Sequence, residues 1–265
     1  QRGRVGLITL NRPEKLNAWT PTMMAEMTAA MKQCAAEPSI GAIVVTASGR
    51  AFCAGADIDA VFRANSEARD SESETGDPRP ARGEDNWVTF LRKLPKPTIA
   101  AVNGTAVGIG VTQVLPMDIR IASEEAKFGM FFVKMGLVPE LASSAFLPQM
   151  VGQARALEWC LTGRMIPARE AHAAGLVSEV VPPGELVARA VALGEQLAGQ
   201  SSFAMTKIRG LILANGNETD VTEAMRRESA ALEAAYRSWE HKEAIAAFLA
   251  KRPADFQKEP PTPVL

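Results

Sequence analysis

Residues 98–115, Thr-Ile-Ala-Ala-Val-Asn-Gly-Thr-Ala-Val-Gly-Ile-Gly-Val-Thr-Gln-Val-Leu, constrain the fold more than any other stretch. Residues 98–102 are a short apolar run rich in β-branched side chains, bounded by Pro97 and Gly104, and read as a buried strand. Gly104, Gly108 and Gly110 follow, then apolar residues up to Pro116, the pattern of a turn entering a short helix. Glycine permits positive φ and lets backbone approach a ligand closely. The first N–H groups of a helix have no partner inside it. This stretch can therefore aim main-chain donors at an oxyanion. Arg50-Ala51-Phe52-Cys53-Ala54-Gly55-Ala56-Asp57-Ile58 has the same character and follows an expected strand at 42–46. Two strand ends, each delivering one N–H, make a two-donor hole. Each cluster alone also suits an ordinary tight βα turn. Neither is a phosphate loop: G-x-x-x-x-G-K-[ST] is absent, and no full G-x-G-x-x-G follows the strand.

The rest of the chain alternates in the same way. Residues 5–10 read as a strand and 11–16 as a polar turn. Thr20-Pro21 opens a helix to about Ala36, with proline at its first position. Met23, Met24, Met27 and Met31 fall near one face of it and read as core. Residues 63–86 are nearly devoid of large apolar side chains, which predicts a solvated mobile loop and a candidate lid. A helix over 87–94, a strand over 118–122, helices over 154–161 and 168–173 and a last strand over 175–181 come next. Amphipathic helices over 185–197, 202–213, 220–236 and 241–250 close the chain. Such a helical tail must pack on the core or on a partner subunit. The terminal Pro260-Pro261-Thr262-Pro263 is expected to be unordered.

Composition excludes several functions. A net charge of −1 with no long basic block disfavours nucleic-acid binding. No apolar run is long enough to span a bilayer, and no signal peptide is visible. The opening Gln1-Arg2-Gly3-Arg4-Val5 enters a strand at once, so the natural first residues are expected to be missing and upstream targeting stays open. Cys34, Cys53 and Cys160 show no paired spacing, which points to a reducing compartment, taken as the cytoplasm. Cys53 reads as a small buried apolar residue. His172 and His241 have no metal-ligand partner at useful spacing, so no metal site is expected.

Taken together the motifs are similar to those of the crotonase superfamily, best known for enoyl-CoA hydratases and isomerases. The resemblance runs through Leu10-Asn11-Arg12-Pro13-Glu14-Lys15-Leu16-Asn17-Ala18, Ala51–Asp57, and Ala101-Val102-Asn103-Gly104 with Gly108 and Gly110. It continues through Asp118-Ile119-Arg120-Ile121-Ala122, Lys127-Phe128-Gly129, Gly136-Leu137-Val138-Pro139, Leu161-Thr162-Gly163 and Ala174-Gly175-Leu176-Val177. It implies an α/β fold, a spiral of ββα units over 1–195, with a C-terminal helical oligomerisation region over 196–265 that builds a trimer or a hexamer. It implies acyl-CoA substrates, as in fatty acid β-oxidation, with no cofactor beyond the coenzyme A of the substrate itself.

Register within the superfamily places the two oxyanion N–H groups at Ala56 and Ile109. The same register assigns substrate contacts to Ala54, Asp57, Ile58, Gly108 and Phe132, and coenzyme A contacts to Phe248 and Lys251. Asp57 and Asp118 also read as structural residues that hold turns. Hydratases of the superfamily use two glutamates, one to activate water and one to protonate carbon. The matching positions here are Thr112 and Phe132, which transfer no protons, so Thr112→Ala is expected to matter little. Glu140, in Val138-Pro139-Glu140-Leu141, matches instead the catalytic glutamate of the peroxisomal-type 3-enoyl-CoA to 2-enoyl-CoA isomerases. Phe131, Phe132, Leu137 and Leu141 are expected to raise its pKa by desolvation. Isomerisation is the leading expectation. Hydration or another reaction of the superfamily is second, and a non-catalytic binding protein is a remote third. A dehalogenase would want a histidine within 63–86, and there is none.

Overall fold

The computed structural model describes residues 1–63 and 86–263. Residues 64–85, and with them nearly all of the expected lid, lie outside the described residues. The elements run β1 (Val5–Leu10), α1 (Pro21–Ala36), β2 (Ala42–Ala47), β3 (Ala51–Cys53), α2 (Trp87–Lys93), β4 (Thr98–Val102), β5 (Thr105–Val107) and α3 (Ile109–Thr112). They continue as β6 (Ile119–Ser123), β7 (Lys127–Gly129), α4 (Ser143–Val151), α5 (Gln153–Thr162), β8 (Met165–Pro167), α6 (Ala168–Ala173) and β9 (Glu179–Val181). Four helices finish the described chain: α7 (Leu186–Ala198), α8 (Ser202–Asn215), α9 (Val221–Arg237) and α10 (Trp239–Leu249).

The strands form two sheets. The first is five-stranded, in the order β1-β2-β4-β6-β9, and parallel throughout. The second is four-stranded, β3-β5-β7-β8, with only the last pair antiparallel. Three successive passes each lay one strand in the first sheet and the next in the second: β2 then β3, β4 then β5, β6 then β7. This is an α/β spiral of ββα units followed by a helical C-terminal region.

A parallel sheet must be covered on both faces, which is why its strands read as continuous apolar runs. The period of two divides those runs between two cores. Ile43 and Val45 of β2, with Ala100 and Val102 of β4, face the large core that also takes Met23, Met27 and Met31 of α1. Val44, Ile99 and Ala101 face the other side, where Leu186 and Ala190 of α7 cover them. Helix α1 starts where expected, because the Thr20 side chain accepts from Met23 N and Pro21 occupies the first turn.

Three differences from the sequence reading have local causes. The strands of the second sheet are only three residues long, too short to display a period, and the reading missed them. The expected strand over 175–181 shrinks to Glu179–Val181. Gly175 (φ +90) and Leu176 instead close α6, donating to His172 O (3.0 Å) and Ala171 O (2.9 Å). The expected unordered tail is docked. Trp239 Nε1 donates to Pro260 O (2.7 Å), and Thr262 N donates to Glu240 Oε1 (2.9 Å). Glu240 is buried on the first turn of α10, so its carboxylate needs the N–H and hydroxyl of Thr262, and their bonds fix the chain end. Among the described residues no helix is long and apolar enough to cross a membrane.

Asn17 ties the N-terminal turn to the entry of β3. It is fully buried, accepts from Arg12 N (2.7 Å) and donates to Ser48 O and Ala51 O (2.8 Å each). It also sits in the left-handed region, φ +53. Asn17→Ala strands one buried and two part-buried polar groups and removes a residue suited to that φ. Urea unfolding should show a loss of about 3 kcal/mol at unchanged slope.

Candidate active site

Two backbone turns meet at the ends of β3 and β5. The first, after β3, is clamped by the chain around Trp19. Trp19 N donates to Gly55 O (2.8 Å), and Asp57 N donates back to Trp19 O (2.8 Å). Ala54 N donates to Leu16 O (3.1 Å). In such a strand-like bridge successive N–H groups point to opposite sides. Asp57 N faces Trp19, so Ala56 N faces away from it. Gly55 makes the approach to this turn at φ +108, where a side chain would be strained.

The second turn leads from β5 into α3. Gly108 N donates to Gly129 O (2.8 Å), which anchors the turn to β7. Ile109 opens the helix, and its N–H is one of the orphans of a first turn. Among the described residues the N–H groups of Ala56 and Ile109 meet no acceptor. The turns touch through backbone. A methyl on Gly110 would lie 2.2 Å from Cys53 O, and one on Gly55 would lie 3.5 Å from Val107 O. Cys53, buried between them, has its thiol pushed up to about 11 by burial. It stays protonated at neutral pH and serves as a small packing residue, as expected.

Glu140 is brought to this place from a distant segment. Thr112 Oγ1, on the last residue of α3, donates to Glu140 Oε1 at 2.6 Å. Thr112 follows Ile109 by three residues, so hydroxyl and orphan N–H share one short helix. Glu140 is half-buried. Of the apolar residues expected to desolvate it, Phe132 is buried and Leu137 is 46 % exposed. The contact with Thr112 is the feature that sequence reasoning missed. The two residues are 28 apart, and neither lies in a local pattern that announces the other.

The remaining candidates divide. Phe132 lies beside the second turn, its Cζ 4.0 Å from where a Gly108 methyl would sit. Asp57 accepts from Ala60 N (3.2 Å) and pairs with Arg12 Nη2 (3.2 Å). The Ala60 N–H, then Arg12, holds this carboxyl below its usual range. Asp118 accepts from Thr98 N (2.8 Å) and Thr98 Oγ1 (2.9 Å) and pairs with Arg209. Both aspartates accept from backbone N–H groups, Asp57 within its own turn as it was read and Asp118 at the first residue of β4. Ala54 and Ile58 flank the first turn, with Ile58 exposed. Phe248, 83 % exposed, and Lys251 lie at the end of α10, and among the described residues no hydrogen bond or ion pair joins them to the turns. Among the described residues no group of three or more His, Cys, Asp or Glu is placed to hold a metal ion.

A ββα spiral with a helical C-terminal region and donor-bearing turns between its sheets is the crotonase architecture. The chain belongs to the enoyl-CoA hydratase/isomerase family, whose sequence model matches residues 1–259. It is 39 % identical over 256 residues to a probable enoyl-CoA hydratase of Rhizobium meliloti, covering 97 % of this chain and 95 % of that one. It is 37 % identical to the 1,2-epoxyphenylacetyl-CoA isomerase of Escherichia coli, covering 94 % and 93 %. Among solved structures, an enoyl-CoA hydratase from Bacillus anthracis superposes with a TM-score of 0.82 at 30 % identity, covering 97 % and 96 %. The chain is thus an enzyme of this family.

The backbone contact at Gly110 has a measurable cost. Gly110→Ala must push α3 away from Cys53 and should lower stability by about 2 kcal/mol in chemical denaturation. Gly210→Ala is the control: Gly210 is exposed inside α8 with open space around it, and the change should raise stability by about 0.5 kcal/mol.

Proposed function

We propose that the protein converts 3-enoyl-CoA to 2-enoyl-CoA, with Glu140 as the single base and the N–H groups of Ala56 and Ile109 as the oxyanion hole. The observation that carries this reading is the Thr112–Glu140 hydrogen bond, which holds a lone carboxylate one helical turn from the Ile109 N–H. The thioester oxygen accepts from both N–H groups. Glu140 removes a proton from C2, and the electron pair moves onto that oxygen as a dienolate. The same proton returns at C4, the C3–C4 double bond is lost and a C2–C3 double bond forms. A preorganised donor of this kind commonly contributes about 3 kcal/mol of barrier lowering.

Hydration of 2-enoyl-CoA, the activity in the name of the Rhizobium meliloti relative, is the second reading. It needs an acid and a base. Thr112 and Phe132, at the positions of the hydratase glutamates, supply neither. Substrate contacts from Ala54, Asp57, Ile58, Gly108 and Phe132 belong to this proposal, as do coenzyme A contacts from Phe248 and Lys251. No separate cofactor is invoked. The unpaired Cys34, Cys53 and Cys160 suit a reducing compartment such as the cytoplasm.

We also propose that residues 196–265 act as the oligomerisation region and assemble a trimer or hexamer. Ile208 and Ile212 of α8, Val221 and Met225 of α9 and Ile245 of α10 are large apolar side chains left exposed on these helices, which supports this reading. Sedimentation of the purified protein should give three or six chains, and a monomer at micromolar concentration would refute it.

The decisive experiment supplies 3-enoyl-CoA and 2-enoyl-CoA separately in heavy water. Isomerisation of the first without hydration of the second is expected. Glu140→Gln should lower the isomerisation rate at least a hundredfold, on the order of a lost acid–base group, while binding of a saturated acyl-CoA changes little. Full activity in that variant removes Glu140 from the chemistry.

A further inference from the structure

We propose that Thr112 is a positioning residue that fixes the plane of the Glu140 carboxylate, so that one orientation serves both proton removal at C2 and proton return at C4. This rests on the reading of Glu140 as the base.

Four observations carry it. Thr112 is fully buried, and its side chain is β-branched and therefore stiff at χ1. A threonine inside a helix can give its hydroxyl proton to the carbonyl four residues back. Here the backbone N–H of Thr112 uses Gly108 O (3.1 Å), and the hydroxyl goes to Glu140 Oε1 at 2.6 Å instead. That length lies within the normal range of an O–H···O hydrogen bond. Glu140 is also gripped from its own backbone, since Ser143 N donates to Glu140 O (3.0 Å). Finally, Leu141 and Ala142 sit in the left-handed region at φ +53 and +56. Two adjacent non-glycine residues there are costly and persist only where the surroundings enforce them. The strained pair turns the chain from Glu140 into α4. The carboxylate is thus aimed by its own backbone and its rotation is stopped by Thr112.

A one-base isomerase needs such a stop. Its carboxylate must face C2 in one step and C4 in the next, on the same face of the dienolate. A carboxyl that rotates between the steps turns its O–H away from C4, and return of the proton there slows. The expectation that Thr112→Ala matters little is replaced by this one: the hydroxyl transfers no proton, and it holds the group that does.

Thr112→Val keeps the shape and removes the hydroxyl. Its kcat for 3-enoyl-CoA should fall about tenfold or more, the worth of one charge-assisted hydrogen bond, with KM within about twofold, because substrate binding does not use this group. With substrate deuterated at C2, the fraction of label carried to C4 should fall in the same variant. Thr112→Ser keeps the hydroxyl and should restore most of kcat and of the label transfer. Should Thr112→Val not fold, Thr112→Ala, which introduces no steric conflict, is measured in its place with the same expected split. Wild-type kcat and label transfer in the hydroxyl-free variant, beside an inactive Glu140→Gln, would overturn the role of Thr112 and leave Glu140 as the base. Equal losses in the Ser and Val variants would likewise overturn it, reducing Thr112 to packing. An active Glu140→Gln would overturn the underlying reading itself.

Discussion

Backbone approaching backbone is the constraint on which this structure depends. The carbonyl of Cys53 occupies the space that a side chain at residue 110 would need. Only with glycine there can α3 start directly against the end of β3. That contact sets the distance between the two turns, and everything at the candidate site is hung from them. The parallel pairing of β3 with β5 brings the turns together along the sheet. The Trp19 bridge then fixes which way the first turn faces. The meeting of the two turns is in this sense a by-product of packing two strand ends too closely for side chains.

The glycine-rich turns were the most legible part of the sequence, because a glycine between a strand and a helix reports a local backbone need. The long strands of the first sheet were legible for a similar reason: burial on both faces writes an unbroken apolar run such as Ala42–Ala47. The second sheet was not, since three residues carry no period. The docked tail was misread because Glu240 looks like any polar residue on a solvated helix, and its burial depends on where residues 260–262 come to rest. Asp57 and Asp118 were read correctly as structural acceptors of backbone N–H groups. Their partners Arg12 and Arg209 were not foreseen, being 45 and 91 residues away in sequence.

The Thr112–Glu140 pair has the same lesson at the site itself. Comparison with the two-glutamate pattern made Thr112 look like a loss. In the fold it is a replacement of a different kind, a donor where the pattern has an acid. The carboxylate it bonds lies 28 residues on, beyond β7 in the chain, so only the three-dimensional crossing reveals the pair.

Arg209 links this architecture to the outer helices. From α8 it pairs with Asp118 and donates to the carbonyls of Leu91, Arg92 and Leu94 at the end of α2. Asp118 in turn holds the first residue of β4, and the chain runs from β4 through β5 into the second turn. One guanidinium therefore staples the C-terminal helices to the root of β4, the middle strand of the five-stranded sheet. The outermost helices and the middle strand of the larger sheet are thus joined through two side chains alone, Arg209 and Asp118.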